Sequence, residues 1–303
     1  MLSSAMKRRL GMAACLATLA FAAGCGSDDS SSGESTESAA SEPITFAFNS
    51  FSDARASTAL ATEVLKKAGY EVSAQMLGSI GLDFAAVSGG EADVFADAWL
   101  PYTHEEYWSR YGKDLEKVSK LYDQPVNTGL AVPEYCPTQS VDQLNSQAST
   151  YDGKIIGIEA GSGLMTSTKK LVDSYGLDLT LVPGSEAAML ATLKKAVSQD
   201  ECVVVTLWRP HAAFALYPIR YLEEPKGVYK AEDAWTVTKP DFKEEFPGPY
   251  AFLERFTIPL SDQEDMISKI VNEGEDPAAA AQAWMKANPA KVDAWLKLAK
   301  GSA

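Results

Sequence analysis

The chain has 303 residues, 41 acidic against 27 basic, for a formal net charge of -14. That balance excludes a nucleic-acid binder, which needs a basic patch to neutralise phosphates, and argues against broad contact with anionic lipid. With 46% hydrophobic residues the chain can bury a proper core, while two histidines and four dispersed cysteines offer no metal cluster and predict no cofactor.

In chain order, the first feature is a leader. Lys7, Arg8 and Arg9 precede an apolar run from Leu10 to Gly24, shorter than the ~20 residues a bilayer span requires and of the size of a secretory h-region. Residues 1–24 are read as a signal peptide. The run ends in Ala22-Ala23-Gly24-Cys25, which resembles a bacterial lipobox with Ala22 where leucine is usual. Cys25 is therefore the expected lipidation site. The alternative is cleavage after an A-x-A-like site that leaves Cys25 unmodified. Residues 25–43 follow as a tether: GSDDSSSGESTESAAS holds no aliphatic residue larger than alanine and cannot fold. The expected location is the outer face of the membrane, on a lipid anchor. Removing the three leader cations takes the net charge of the exported form to -17.

Strand and helix signals then alternate in two rounds. Ile44–Phe48 reads as a strand, Ala54–Gly69 as a helix with Leu60, Val64 and Leu65 on one face, and Tyr70–Leu77 as a strand. A short helix over Leu82–Ser88 and strands over Asp93–Ala96 and Thr128–Val132 complete the first round, and Pro133 breaks the pattern. The second round predicts strands over Ile155–Ile158, Leu179–Val182 and Cys202–Leu207, with helices over Leu164–Tyr175 and Glu186–Val197. The C-terminal part from Ser261 to Ala299 is helical, with Pro277 and Pro289 at helix starts. The pattern predicts two α/β lobes with largely parallel sheets. In an oxidising compartment Cys136 and Cys202 are either a disulfide or two separate buried thiols.

Ligands of open α/β sheets bind beyond the carboxyl ends of the strands. Three such ends here carry aromatics: Phe51 after Asn49-Ser50, Trp99 within Asp97-Ala98-Trp99-Leu100-Pro101-Tyr102-Thr103-His104, and Trp208 within Thr206-Leu207-Trp208-Arg209-Pro210-His211. A fourth carries Gly161-Ser162-Gly163, a glycine turn opening a helix, where free N–H groups seat an anion. Aromatics that converge on a cleft suit an onium cation, which donates no hydrogen bond and is held by apolar contact and ring faces. Trp108, Tyr107, Tyr111, Trp235, Trp284 and Trp295 are read as packing. No Ser-His-Asp, paired-carboxylate or metal motif predicts catalysis.

These segments together resemble the glycine betaine/proline betaine substrate-binding proteins of ABC importers. The resemblance is carried by Ala98-Trp99-Leu100-Pro101-x-Thr103-His104 with Tyr107-Trp108, by GIEAGSGLM (Gly157–Met165), by VVTLWRPH (Val204–His211) and by Lys67–Val72, over roughly Ile44 to Trp295. It implies a two-lobed type II periplasmic-binding-protein fold with the ligand cleft between the lobes. Lobe I is expected over 44–132 plus 214–303 and lobe II over 133–213. It implies a quaternary nitrogen gripped by Phe51, Trp99 and Trp208, and a carboxylate met by His104 and by the N–H groups of Gly161, Ser162 and Gly163. The implied partners are a betaine-type small molecule and the permease and ATPase subunits of an importer, with the binding protein a monomer. The sequence departs from the family at Phe51, where relatives often carry tryptophan, which leaves the choice among betaine, choline and carnitine open. A ligand-sensing lipoprotein of the same fold is the other reading.

Overall fold

The computed structural model describes residues 43–301; the leader, Cys25 and the tether read above lie outside the described residues, apart from Pro43. The first sheet begins with β1 (Ile44–Phe48), α1 (Ser52–Ala68), β2 (Val72–Met76), α2 (Ile80–Gly89) and β3 (Val94–Leu100). Gly69 stops α1 by turning to φ 105°, where its N–H returns to the carbonyls of Leu65 and Lys66. There follow α3 (Glu105–Tyr111), β4 (Glu116–Lys120), β5 (Asn127–Pro133), β6 (Lys154–Ile156), α4 (Gly163–Tyr175), β7 (Thr180–Val182) and α5 (Glu186–Ser198). The chain continues through β8 (Val205–Arg209), α6 (Ala213–Leu216), β9 (Ile219–Tyr221) and β10 (Asp233–Thr238). It ends in α7 (Phe242–Glu245), α8 (Pro247–Leu253), α9 (Leu260–Ser268), α10 (Pro277–Ala287) and α11 (Pro289–Ala299). Pro277 and Pro289 occupy the first helical turn, where their missing N–H groups cost nothing.

Two five-stranded sheets result, in the orders β2-β1-β3-β10-β4 and β7-β6-β8-β5-β9. Each is mixed rather than largely parallel. In the first, β2, β1 and β3 run parallel and β10 enters antiparallel between β3 and β4. In the second, β7, β6 and β8 run parallel while β5 is antiparallel to both β8 and β9.

The ladders also move the lobe boundary expected from the sequence. β5 pairs with β8 from Asn127 opposite Arg209 to Ala131 opposite Val205, and β9 pairs with β5. The chain therefore changes sheets between β4 and β5 and returns between β9 and β10, not at Val132 and Phe214. Pro133 is the last residue of β5, so it ends a ladder and not a lobe. The two crossovers touch through the antiparallel bridge Val126–Glu232.

The core behind the first sheet includes the stacked indoles of Trp284 and Trp295, 5.6 Å apart, with Phe252 and Phe256 against Trp295. In the second lobe a disulfide joins Cys136, just past β5, to Cys202, just before β8, with Cα atoms 5.7 Å apart.

Candidate functional site

The carboxyl ends of β1, β3 and β8 and the start of α4 meet at a cavity of about 370 Å³, its open mouth included. Phe51, Asp53, Asp97, Trp99, Thr103, His104, Ser162, Gly163 and Trp208 contribute to its walls. Gly161 is exposed and does not line it.

Phe51 caps α1 in an extended conformation, its N–H held by Asn49 Oδ1 at 3.1 Å. Its ring meets Trp208 edge-on at 5.5 Å across the lobes. Trp99 is the penultimate residue of β3, a strand buried along its whole length. Its indole Nε1 donates to Asp97 Oδ1 at 2.8 Å, as the two-residue strand period allows, since residues 97 and 99 share a face. Among the described residues Trp99 makes no ring pair with Trp208 or Phe51, and all three residues line the cavity.

The turn after β3 places His104. Its own N–H donates to the Trp99 carbonyl, and the Trp99 N–H donates to His104 Nδ1, both at 2.9 Å. An accepting Nδ1 puts the neutral ring's proton on Nε2, which makes no hydrogen bond among the described residues. Burial drops the His104 pKa to about 3, so the ring stays neutral at physiological pH. Glu232, from the second crossover, holds the same turn by accepting the N–H groups of Tyr102 and Thr103 and the Thr103 hydroxyl.

On the other lobe, Trp208 packs edge-on against His211 at 4.5 Å. His211 accepts the Ala213 N–H on Nδ1, and its Nε2 lies 3.1 Å from Glu186 Oε1. Glu186, the first residue of α5, also accepts the backbone N–H and hydroxyl of Ser52 at 3.0 and 2.5 Å. A buried carboxylate thus joins the lobes beside the cavity. Tyr107, expected to be packing, stacks on Phe84 and also crosses to the other lobe, donating its hydroxyl to the Gly161 carbonyl at 2.6 Å. Arg209 grips Glu264 from the far side. Gly163 lies so close to Thr103 that a Cβ would overlap the Thr103 carbonyl oxygen. These contacts hold the lobes closed.

The expected anion seat is narrower than its sequence motif. The Ser162 N–H is taken by the Glu159 carbonyl at 2.9 Å, and the Ser162 hydroxyl caps α4 by accepting the Met165 N–H at 3.3 Å. The N–H groups of Gly161, Gly163 and Leu164 have no partner among the described residues, and of these three residues Gly163 and Leu164 line the cavity.

Sequence reasoning missed the acids. Asp53 and Asp97 are buried in the cavity wall, and Asp83 lies behind them, taking the Asn49 side-chain amide at 3.0 Å. Burial raises all three carboxyl groups: Asp53 to about 7, with Glu186 adding to the shift; Asp83 to about 7; and Asp97 well above its ordinary value, with Asp53 adding. A faint signal exists in the sequence, since Asp53 and Asp97 each stand two residues from a strand-end aromatic.

Comparison with known proteins agrees with this architecture. Residues 42–287 match the family described as the substrate-binding domain of the ABC-type glycine betaine transport system. A glycine betaine/carnitine transport binding protein of Listeria monocytogenes is 39% identical over 145 residues, 46% of this chain; the match spans about half the length of that relative. Lactococcal OpuAC in its closed-liganded conformation with glycine betaine superposes with a TM-score of 0.80 at 32% identity, covering 84% of this chain and 99% of that one. An ABC-transporter choline-binding protein in complex with choline superposes at 0.75 with 27% identity, covering 84% and 91%. The chain belongs to the family of substrate-binding domains of ABC-type glycine betaine transport systems.

Proposed function

We propose that this chain captures a quaternary ammonium solute such as glycine betaine and delivers it to the permease and ATPase of an importer, working as a monomer on a lipid anchor at Cys25. Phe51, Trp99 and Trp208 grip the onium group. His104 Nε2–H and the N–H groups of Gly163 and Leu164 receive a carboxylate. The observation that carries this reading is the convergence of three rings, brought from β1, β3 and β8, on one cavity with unpartnered N–H donors at its other side.

Magnitudes fit a two-ended ligand. A desolvated cation–π contact is worth roughly 2 kcal/mol, so three rings supply about 6. Micromolar affinity requires about 8 kcal/mol, and the anion seat and lobe closure provide the remainder. Calorimetric titration with glycine betaine tests the assignment. Trp99→Ala and Trp208→Ala should each bind about thirtyfold more weakly while remaining folded. Unchanged affinity in both variants would show that these rings only pack.

A further inference from the structure

The two cage indoles share a feature that the ring count does not explain: each turns its N–H toward a buried aspartate. Trp99 Nε1 donates to Asp97, and the Trp208 N–H lies against Asp53 without closing a well-aligned bond. Asp53 and Asp97 are only 2% and 3% exposed, and both line the cavity. Asp53 Oδ1 has no hydrogen-bond partner among the described residues, nor has the hydroxyl of Tyr122 nearby.

Acids approach the pair from several elements. Glu186 faces Asp53 from α5, Asp83 faces Asp97 from α2, and Tyr122 approaches both from beyond β4. From α9, Gln263 donates its amide to the Asp53 backbone carbonyl at 2.9 Å. His104 is neutral, and His211 Nε2 lies 3.1 Å from Glu186 Oε1. No lysine or arginine pairs with Asp53, Asp97 or Asp83 among the described residues. An acidic floor with no lysine or arginine partner among the described residues lies beneath the cavity.

We propose that Asp53 and Asp97 form a proton-exchanging floor to the cage, which gives up a proton when a permanent cation seats and thereby favours a net cation over a zwitterion as pH rises. The proposal rests on the quaternary ammonium reading above. In the ligand-free site the carboxyl groups hold their protons, because burial and mutual repulsion oppose ionisation. A seated onium group is the missing counter-charge. It stabilises the carboxylate, and the proton leaves to solvent. The resulting carboxylate also polarises the indole N–H it faces, which enriches the ring face toward the cation. A zwitterion brings its own carboxylate into the same cleft, which offsets part of the cation's field and leaves more of the proton in place.

The sign follows from linkage. A cation that lowers a carboxyl pKa on binding binds more tightly as pH rises, up to the ionisation of the free group, which for Asp53 is about 7. Release of one proton corresponds to about a tenfold change in affinity per pH unit.

The test is calorimetric titration of the full chain with choline and with glycine betaine from pH 5.5 to 7.0, in buffers of differing ionisation heat so that protons released are counted. Choline affinity should rise by about fifteenfold across that range, with near one proton released at pH 5.5 and about half a proton at pH 7.0; betaine should show a distinctly smaller slope and fewer protons. Asp53→Asn should flatten the choline profile, and Asp97→Asn serves if that variant does not fold. Proton counting on the unaltered protein decides the matter without either. No release, or equal release for the two ligands, overturns the proposal while leaving the binding reading intact. If neither ligand binds at any pH, the quaternary ammonium reading falls and the proposal with it.

Discussion

On the proposed reading, His104 separates the two ends of the ligand. Its Nδ1 is committed to the Trp99 N–H, so it can offer a ligand only the Nε2 proton, and it is neutral, so that offer is a hydrogen bond and not an ion pair. His104→Ala should therefore weaken glycine betaine by about tenfold, the worth of one buried hydrogen bond of roughly 1.5 kcal/mol, and leave choline nearly unchanged. Parallel titrations of the variant check this, and equal losses for both ligands would remove His104 from the anion end. Phe51→Trp should be mild or tighten betaine, because Phe51 meets Trp208 at its edge and a larger ring extends the same wall. The strand-end aromatics and His104 were legible in the sequence because position at a strand end is a local property. Asp53, Asp97 and Glu186 were not, because their meaning comes from burial and from partners far away along the chain: Ser52 and Glu186 meet across 134 residues.

Among the elements, α4 shows how closure is built into backbone spacing. Gly163 starts α4 at an ordinary helical position, so glycine is required there by the Thr103 carbonyl across the cleft and not by its own backbone angles. Gly163→Ala should hold the lobes apart and weaken every ligand together, because only the closed fraction binds well. Small-angle scattering should show the variant more open at saturating ligand, and a closed profile with full affinity would refute the contact's role. The Cys136–Cys202 disulfide staples the segment after β5 to the approach of β8, which carries Trp208. Replacing both cysteines with serine should cost roughly 2–4 kcal/mol of stability by loop constraint, read from denaturant unfolding with and without reductant. The long periodic segments, such as β1, α1, α4 and α5, were legible. β4, with its mostly polar Glu116–Lys120, and β9, three residues long, carry too little pattern to be seen. β10 was missed as well, and with β9 unseen the lobe boundary was drawn at Pro133 and not at the crossovers.

For the molecule as a whole, the buried acids tie the stability of the ligand-free form to pH. Asp53 and Asp83 hold protons in the folded chain up to about pH 7 but release them near 3.8 when unfolded. Between those values the native state binds more protons than the unfolded state, so these two groups stabilise at low pH and that contribution is lost as pH rises toward 7. His104 acts in the opposite sense. Its pKa is about 3 folded against 6.5 unfolded, so its contribution is lost as pH falls below 6.5. The two effects partly cancel between pH 4 and 6.5, and above 6.5 only the acids remain, with Asp97 extending the trend to higher pH. Thermal unfolding of the ligand-free protein should therefore show stability falling steadily from about pH 4.5 to 7. Asp83→Asn, which keeps an acceptor for the Asn49 amide and lies outside the cavity wall, should flatten that fall by about 1.4 kcal/mol per pH unit. Saturating choline should flatten it further by supplying the counter-charge that Asp53 and Asp97 lack. A profile that is flat from pH 5 to 8 without ligand, and unaltered by Asp83→Asn, would mean that the folded chain accommodates these carboxylates at no cost, and burial would then have to be relieved by water reaching the floor of the cleft.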